Sequence, residues 1–182
     1  MNNNGFEIER KFLIAMPEAS LLAEAERSEI VQTYLLGEKG TTERVRRRDR
    51  SGRIEYTHTV KRRISSLRRM EDEAEISASE YETLLSRADP KRRSVQKERY
   101  CFVESGLLWE IDVYPFWTGQ AVMEVELTDE AQEIKLPERI RILREVTDDK
   151  RYTNASMSLV IPEEEDMDET KPDAFRLTDE RN

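Results

Sequence analysis

Residues 6–14 read FEIERKFLI. Laid out as a β-strand, the stretch places Glu7, Glu9 and Lys11 on one face and Phe6, Ile8, Phe12 and Ile14 on the other. The apolar face has to be buried. The charged face either meets water or lines a polar cavity, and that choice decides both the fold and the function.

The same alternation recurs in RIEYTHTVK (53–61), RRMEDEAEI (68–76), VQKERYCFV (95–103), LLWEIDVY (107–114) and AVMEVELT (121–128), each of which reads as a strand. Gly52 and Gly106 mark tight connections, so 44–61 and 95–114 read as hairpins in an antiparallel, β-rich α+β domain. Short helices are expected after Pro17 (PEASLLAEAERSE), after Ser77 with Glu80 as its capping-box partner, and after Thr128. A fourth helix is expected from Thr147 through TDDKRYTNASMSL. No long-period repeat interrupts this organisation.

Charged residues make up 38% of the 182-residue chain and hydrophobic ones 37%, enough for one domain with a substantial core. The net charge is −9, but residues 163–182 hold nine acids against three bases, which leaves residues 1–162 nearly balanced. Residues 1–162 are therefore expected to form a single domain and 163–182 an acidic, flexible tail. A balanced body argues against a broad nucleic-acid surface, although clustered bases can still hold a small polyanion. No apolar run approaches a membrane span and MNNNGFEIER has no signal-peptide core, so a cytoplasmic protein is expected. Cys101 and His58 are the single cysteine and the single histidine, which excludes an intramolecular disulfide and a Cys- or His-rich metal site.

The charged faces are patterned by sign. Arg44 and Arg46 share a face, as do Lys97 and Arg99; Lys61 ends the face of Glu55, Thr57 and Thr59. Arg69, Glu71, Glu73 and Glu75 align, and the pairs Glu110/Asp112 and Glu124/Glu126 repeat the acid-x-acid spacing. Two acids at that spacing stand about 7 Å apart along a strand, compatible with a hydrated divalent cation, for which carboxylates are the preferred protein ligands. Arg-x-Arg and Lys-x-Arg do the complementary work on phosphate oxygens. Two readings stand at this point: a charged cavity, or a solvated outer face whose mixed signs form weak ion pairs. If about eight such strands closed into a barrel with their charged faces inward, the pairs would converge on one cavity and the apolar faces would pack beneath the helices.

Further stretches fall in a fixed order behind Glu7-Ile8-Glu9-Arg10-Lys11: QTYL (32–35), ERVR (43–46), TVK (59–61), RMEDEAEI (69–76), KERY (97–100), WEIDV (109–113), MEVEL (123–127) and DDKRYTN (148–154). Together they resemble the CYTH superfamily, the triphosphate tunnel metalloenzymes, over roughly residues 6–162, with E-x-E-x-K as the signature. The resemblance implies an eight-stranded antiparallel β-barrel with peripheral helices, holding a linear triphosphate moiety and Mg²⁺ or Mn²⁺, a pair of ions per site. Glu7, Glu9, Glu124 and Glu126 are implied as the main metal-binding acids. Glu73 and Asp112 join them or orient water, with Glu71, Glu75 and Glu110 as further candidates. Lys11, Arg44, Arg46, Lys61, Lys97 and Arg99 are implied as the triphosphate cradle, with Arg69 and Lys150 beside it. Lys11, Lys61, Glu73 and Asp112 are the implied catalytic groups. Related triphosphatases often read QGYL where this chain has Gln32-Thr33-Tyr34-Leu35, so Thr33 questions the local backbone. Tyr34 is either a polar contact in the tunnel or simply a barrel residue.

The expected activity is metal-dependent hydrolysis of inorganic triphosphate to pyrophosphate and phosphate. Thiamine triphosphatase, nucleoside triphosphatase and class IV adenylyl cyclase are the alternatives within the family, and a non-catalytic polyphosphate-binding module is the alternative outside it. The expected partner is a small molecule, with no nucleic acid and no membrane; the oligomeric state is left open, a homodimer included.

Overall fold

A computed structural model describes residues 8–63 and 69–165, with the backbone alone for residues 62, 63 and 69–71. Among the described residues nine strands follow one another: β1 (Ile8–Ala15), β2 (Glu26–Leu35), β3 (Thr41–Arg50), β4 (Arg53–Arg63), β5 (Arg69–Glu75), β6 (Val95–Glu104), β7 (Leu107–Val113), β8 (Gln120–Leu127) and β9 (Ile142–Glu145). The helices are short: α1 (Ala19–Glu24), α2 (Ala78–Leu85) and α3 (Asn154–Met157), the last preceded by a 3-10 turn at Lys150–Tyr152. All strand pairs are antiparallel, in the order β5-β4-β3-β2-β6-β7-β8-β1-β9.

Among the described residues no pairing joins β5 to β9, so the sheet is open where a closed eight-stranded barrel was expected. The ninth strand explains the difference. β9 is four residues long and pairs with the free edge of β1, the edge a closing strand would have needed.

Both expected hairpins form through two-residue turns, Ser51-Gly52 and Ser105-Gly106. All four residues have positive φ, between 52° and 89°, the left-handed geometry that matches the twist of a tight hairpin. The capping box of α2 also forms: Ser77 Oγ accepts from the Glu80 N–H at 3.2 Å, and Glu80 Oε2 accepts from the Ser77 N–H at 2.8 Å.

Two expected helices are corrected. The one after Pro17 stops at Glu24, and from Glu26 the chain becomes β2, paired on one side with β3 and on the other with β6. Backbone pairing on both edges over residues 29–32, with Ile30, Gln32 and Tyr34 buried, overrides the helical propensity of the segment. After Thr128 no helix forms. The stretch is irregular and lays Ile134, Leu136 and Ile140 on the core instead. Among the described residues from Thr147 onward, the 3-10 turn and α3 are the helical parts.

The apolar cores lie mainly on the outer face, as the alternation requires. Phe12, Ile14, Trp109, Ile111, Met123 and Val125 form one core under Leu21 of α1 and Ile140. Leu35, Val45 and Tyr81 of α2 form another, with the Tyr56 ring 4.7 Å from that of Tyr81. A third core was not foreseen. Along the inner face the charged rows give way to Leu13, Val122, Tyr114 and Val95, and these pack with Trp117, Val146, Tyr152 and Met157. Burying such side chains contributes about 1.5–3 kcal/mol each, and the cluster closes one end of the inner face beneath α3.

Candidate active site in the curl of the sheet

Side chains from β1 to β8 border a single cavity of about 960 Å³. Its wall includes Glu73 of β5 as well as Glu9 and Lys11 of β1, strands far apart in the sheet order, so the open sheet curls around it. Glu9 and Lys11, the described residues of the charged face of FEIERKFLI, thus line a cavity rather than an open solvated surface. The volume is at the upper end for a small-molecule site, leaving room for a ligand with ions or water.

Charge is divided along the wall. Bases come from the middle of the sheet, with Arg44 and Arg46 from β3, Lys61 from β4, and Lys97 and Arg99 from β6. Carboxylates dominate the other half: Glu110 from β7, Glu124 and Glu126 from β8, and Glu9 from β1. Strand register sets like charges side by side, Glu9 opposite Glu126 and Glu110 opposite Glu124. Directly opposed like charges are destabilising unless something positive lies between them. For Glu124 that role falls to Lys11, its cross-strand partner, whose Nζ lies 2.8 Å from Oε1, and to Arg99, 3.1 Å from Oε2. Burial would depress the Lys11 pKa, but Glu124 and Glu9 outweigh it and raise it.

Asp112, expected to ligate metal, has no exposed surface and does not border the cavity. One of its oxygens accepts from Arg99 Nε at 2.7 Å, and the other accepts from Arg99 Nη2 at 2.7 Å and from Lys97 Nζ. Burial alone would raise its pKa, yet the two cations hold it well below the usual carboxylate range. Because Asp112 is shared, it does not fully compensate Lys97, whose burial brings its pKa down to about 8. Asp112 therefore anchors two bases of the wall from behind.

Tyr34 borders the cavity while only 3% exposed, and burial raises its phenol pKa. Glu73 accepts a hydrogen bond from the Thr59 hydroxyl at 2.7 Å and lies 3.7 Å from Arg44. Lys150 lies on the cavity edge together with Thr153–Ser156 at the start of α3. Glu75 is exposed and is not part of the wall. Glu7 falls outside the described residues, as do the side chains of Arg69 and Glu71; the backbone of Glu71 is in register with Lys61. Thr33 sits in regular strand with its hydroxyl 2.8 Å from that of Ser94, and Ser51 and Ser105 are the non-glycine residues of positive φ among those described. Threonine at the usual glycine position is thus accommodated without strain.

Sequence reasoning missed Gln32, buried on the inner face between Tyr34 and Arg44, and it missed the contribution of α3 to the wall. The signal for Gln32 was its two-residue spacing from Tyr34, legible only once Glu26–Leu35 is taken as a strand.

The donor chemistry of the acidic half suits a hard divalent cation. Among the described residues no three acidic, cysteine or histidine groups stand together as a ready metal cage. An ion that keeps several waters and is held by one or two carboxylates plus substrate phosphates needs no such cage, and that is how Mg²⁺ binds. The opposed pair Glu9 and Glu126 fits that requirement. On the basic half, Arg46 Nε is buried without a hydrogen-bond partner among the described residues, a polar group left unsatisfied by the protein itself.

No family model matches the chain. An inorganic triphosphatase of Nitrosomonas europaea is 35% identical over 160 residues, covering 86% of this chain and 99% of that protein. A crystal structure of an inorganic triphosphatase superposes with a TM-score of 0.58 at 32% identity, covering 87% of this chain and 97% of the other. A further crystal structure, of a protein described as hypothetical, gives a TM-score of 0.60 at 32% identity over 86% of this chain and all of the other. Among the described residues no helix is long and apolar enough to cross a membrane.

Proposed function

The chain belongs to the CYTH superfamily, the triphosphate tunnel metalloenzymes, and from that premise we propose that it hydrolyses inorganic triphosphate to pyrophosphate and phosphate in the cavity described above. The observation that carries the reading is the division of the wall: basic side chains from β3, β4 and β6 face carboxylates from β1, β7 and β8 across one hollow. A solvated face would need neither the hollow nor the division.

In this reading Arg44, Arg46, Lys61, Lys97 and Arg99 neutralise the phosphate chain and fix its direction, with Lys11 joining the two halves and Lys150 at the rim. Lys11 and Lys61 stabilise charge that develops as water attacks a terminal phosphorus in line and the bridging P–O bond breaks. Glu73, whose carboxylate accepts from the Thr59 hydroxyl, orients that water. Asp112 acts on the substrate through Lys97 and Arg99. Glu9 and Glu126, with Glu124 and Glu110 adjoining, would hold Mg²⁺ or Mn²⁺, which when bound supplies charge neutralisation and a more acidic water. A sheet that curls far enough to enclose the bound chain as a tunnel, and a cytoplasmic location, complete the reading.

The test is phosphate release from inorganic triphosphate, ATP and thiamine triphosphate, each with and without Mg²⁺ or Mn²⁺. Metal-dependent release from inorganic triphosphate at least as fast as from ATP is expected, with no cyclic AMP. Dominant release from thiamine triphosphate, or cyclic AMP from ATP, would move the assignment elsewhere in the superfamily; tight binding without turnover would leave a polyphosphate-binding module.

A further inference from the structure

Gln32 stands on the inner face of β2, 1% exposed, two residues before Tyr34. Its Oε1 accepts from Arg44 Nη1 at 3.1 Å and its Nε2 donates to the Tyr34 hydroxyl oxygen at 2.7 Å. The direction of this chain is not arbitrary. A guanidinium offers only donors, so the amide must turn its carbonyl to Arg44 and its NH₂ to Tyr34. The phenol oxygen is then an acceptor on that side, and its own hydrogen has to point elsewhere.

The other charged groups around Tyr34 leave one direction open. Arg44 lies within donating reach of the phenol oxygen and lowers the phenol pKa, against the larger effect of burial, and the Arg92 guanidinium stands over the ring at 5.2 Å. Neither can accept a proton. The nearby Tyr114 hydroxyl donates to Asn154 Oδ1 at 2.9 Å and forms no hydrogen bond with that of Tyr34. Among the described residues the Tyr34 hydrogen meets no acceptor, while Tyr34 itself borders the cavity.

We propose that Gln32 is a positioning residue: pinned by Arg44 at one end and bonded to Tyr34 at the other, it fixes the Tyr34 hydroxyl as a hydrogen-bond donor to the phosphate chain in the cavity. The inference rests on the triphosphatase reading for the identity of the acceptor, and it gives Tyr34 a defined role. Bonds that start from a cation and run in one direction strengthen one another, so the hydroxyl becomes a better donor than an isolated phenol. Burial keeps it protonated at neutral pH.

Gln32→Glu tests the relay because it keeps the shape and the acceptor for Arg44 but replaces the NH₂ donor with a second acceptor. The Tyr34 hydroxyl then donates to the new carboxylate. With tyrosine labelled at ¹³Cζ and the Tyr34 signal assigned by Tyr34→Phe, that signal should already differ between the free wild-type and Gln32→Glu proteins. Saturating inorganic triphosphate should shift it in the wild type and leave it in place in the variant. An unchanged signal in the free proteins, or the same response to triphosphate in both, overturns the proposal.

Kinetics supply a second arm. Gln32→Met removes both bonds and should lower kcat/KM roughly 10-fold or more, the worth of a hydrogen bond to a charged group. In the Tyr34→Phe background the same substitution should cost about 2-fold or less, since the two residues act as one unit. Equal losses in the two backgrounds would show that Gln32 does not work through Tyr34. If the wild type releases no phosphate from triphosphate, the functional reading fails, and the signals of the free proteins still decide whether the relay exists.

Discussion

Glu9 on β1 and Glu126 on β8 are directly opposite each other in the strand register, both on the cavity wall, and Glu9 is also 3.6 Å from Lys11. Two carboxylates in that position repel in the empty protein and attract a cation together. Glu9→Gln and Glu126→Gln should each lower activity by roughly 10²-fold or more and weaken Mn²⁺ binding. The double variant should lose far less than the product of the single losses, because the two serve one site. Thermal stability without metal should hold or rise in each. Near-wild-type activity with unchanged Mn²⁺ affinity in both single variants would return these acids to the solvent.

Asp112 gives a contrasting outcome. Buried and bonded to both Lys97 and Arg99, it should tolerate Asp112→Asn poorly even without metal, at a cost of about 3–5 kcal/mol for breaking a buried ion pair. Urea denaturation of the metal-free protein measures this. A carboxylate whose business was metal would behave in the opposite way, losing Mn²⁺ affinity with little change in metal-free stability.

Much of this arrangement was legible because period-two alternation survives tertiary context when one face packs on a core. Lys97 and Arg99, Glu124 and Glu126, and Arg44 and Arg46 fall where the spacing put them. Ser51-Gly52 and Ser105-Gly106 fixed the hairpins locally. β2 was hidden because Ala19–Glu24 and Glu26–Arg27 read continuously as helix, while the strand is specified by partners about 20 and 70 residues away in sequence, as in Arg48 and Lys97 opposite Ile30. The apolar plug was hidden for a related reason. Leu13, Val122 and Tyr114 look like ends of charged rows until Trp117, Tyr152 and Met157 arrive from elsewhere in the chain to cover them. β9 has only four residues, too few for alternation to speak.

The start of the acidic tail is tied to the domain. Glu164 accepts from the Thr118 and Gly119 backbone N–H groups at 2.5 and 3.1 Å, while Glu165 accepts from Arg144 Nε at 2.6 Å and donates its own N–H to Gln120 at 2.9 Å. Ending the chain after Glu163 should therefore lower the urea midpoint measurably, because these charge-assisted bonds are lost. Ending it after Glu165 should leave the urea midpoint unchanged within error and metal-dependent activity intact, the outcome that composition alone predicts for the loss of all of residues 163–182. Equal stability of the two truncations would show that the Glu164 and Glu165 contacts contribute nothing.

Lys97 gives the site a pH dependence of defined sign. Its pKa in the free protein is brought down to about 8 by burial, so it is charged below that pH and loses its proton as the pH rises through it. A polyanion in the cavity favours the charged form and raises the pKa, which means that triphosphate binding near pH 8 takes up a proton at Lys97. Calorimetry of metal-free triphosphate binding, in buffers of different ionisation heat, should show this uptake approaching about half a proton at pH 8 and vanishing near pH 6.5. Triphosphate itself titrates in this range, so the informative quantity is the difference between the wild type and Lys97→Met. By the same linkage, affinity should fall in the wild type as the pH passes from 7 to 9 and fall less steeply in the variant. Identical proton uptake in the two proteins at pH 8 would mean that Lys97 is already fully charged when the ligand arrives, and that Asp112 rather than burial governs it.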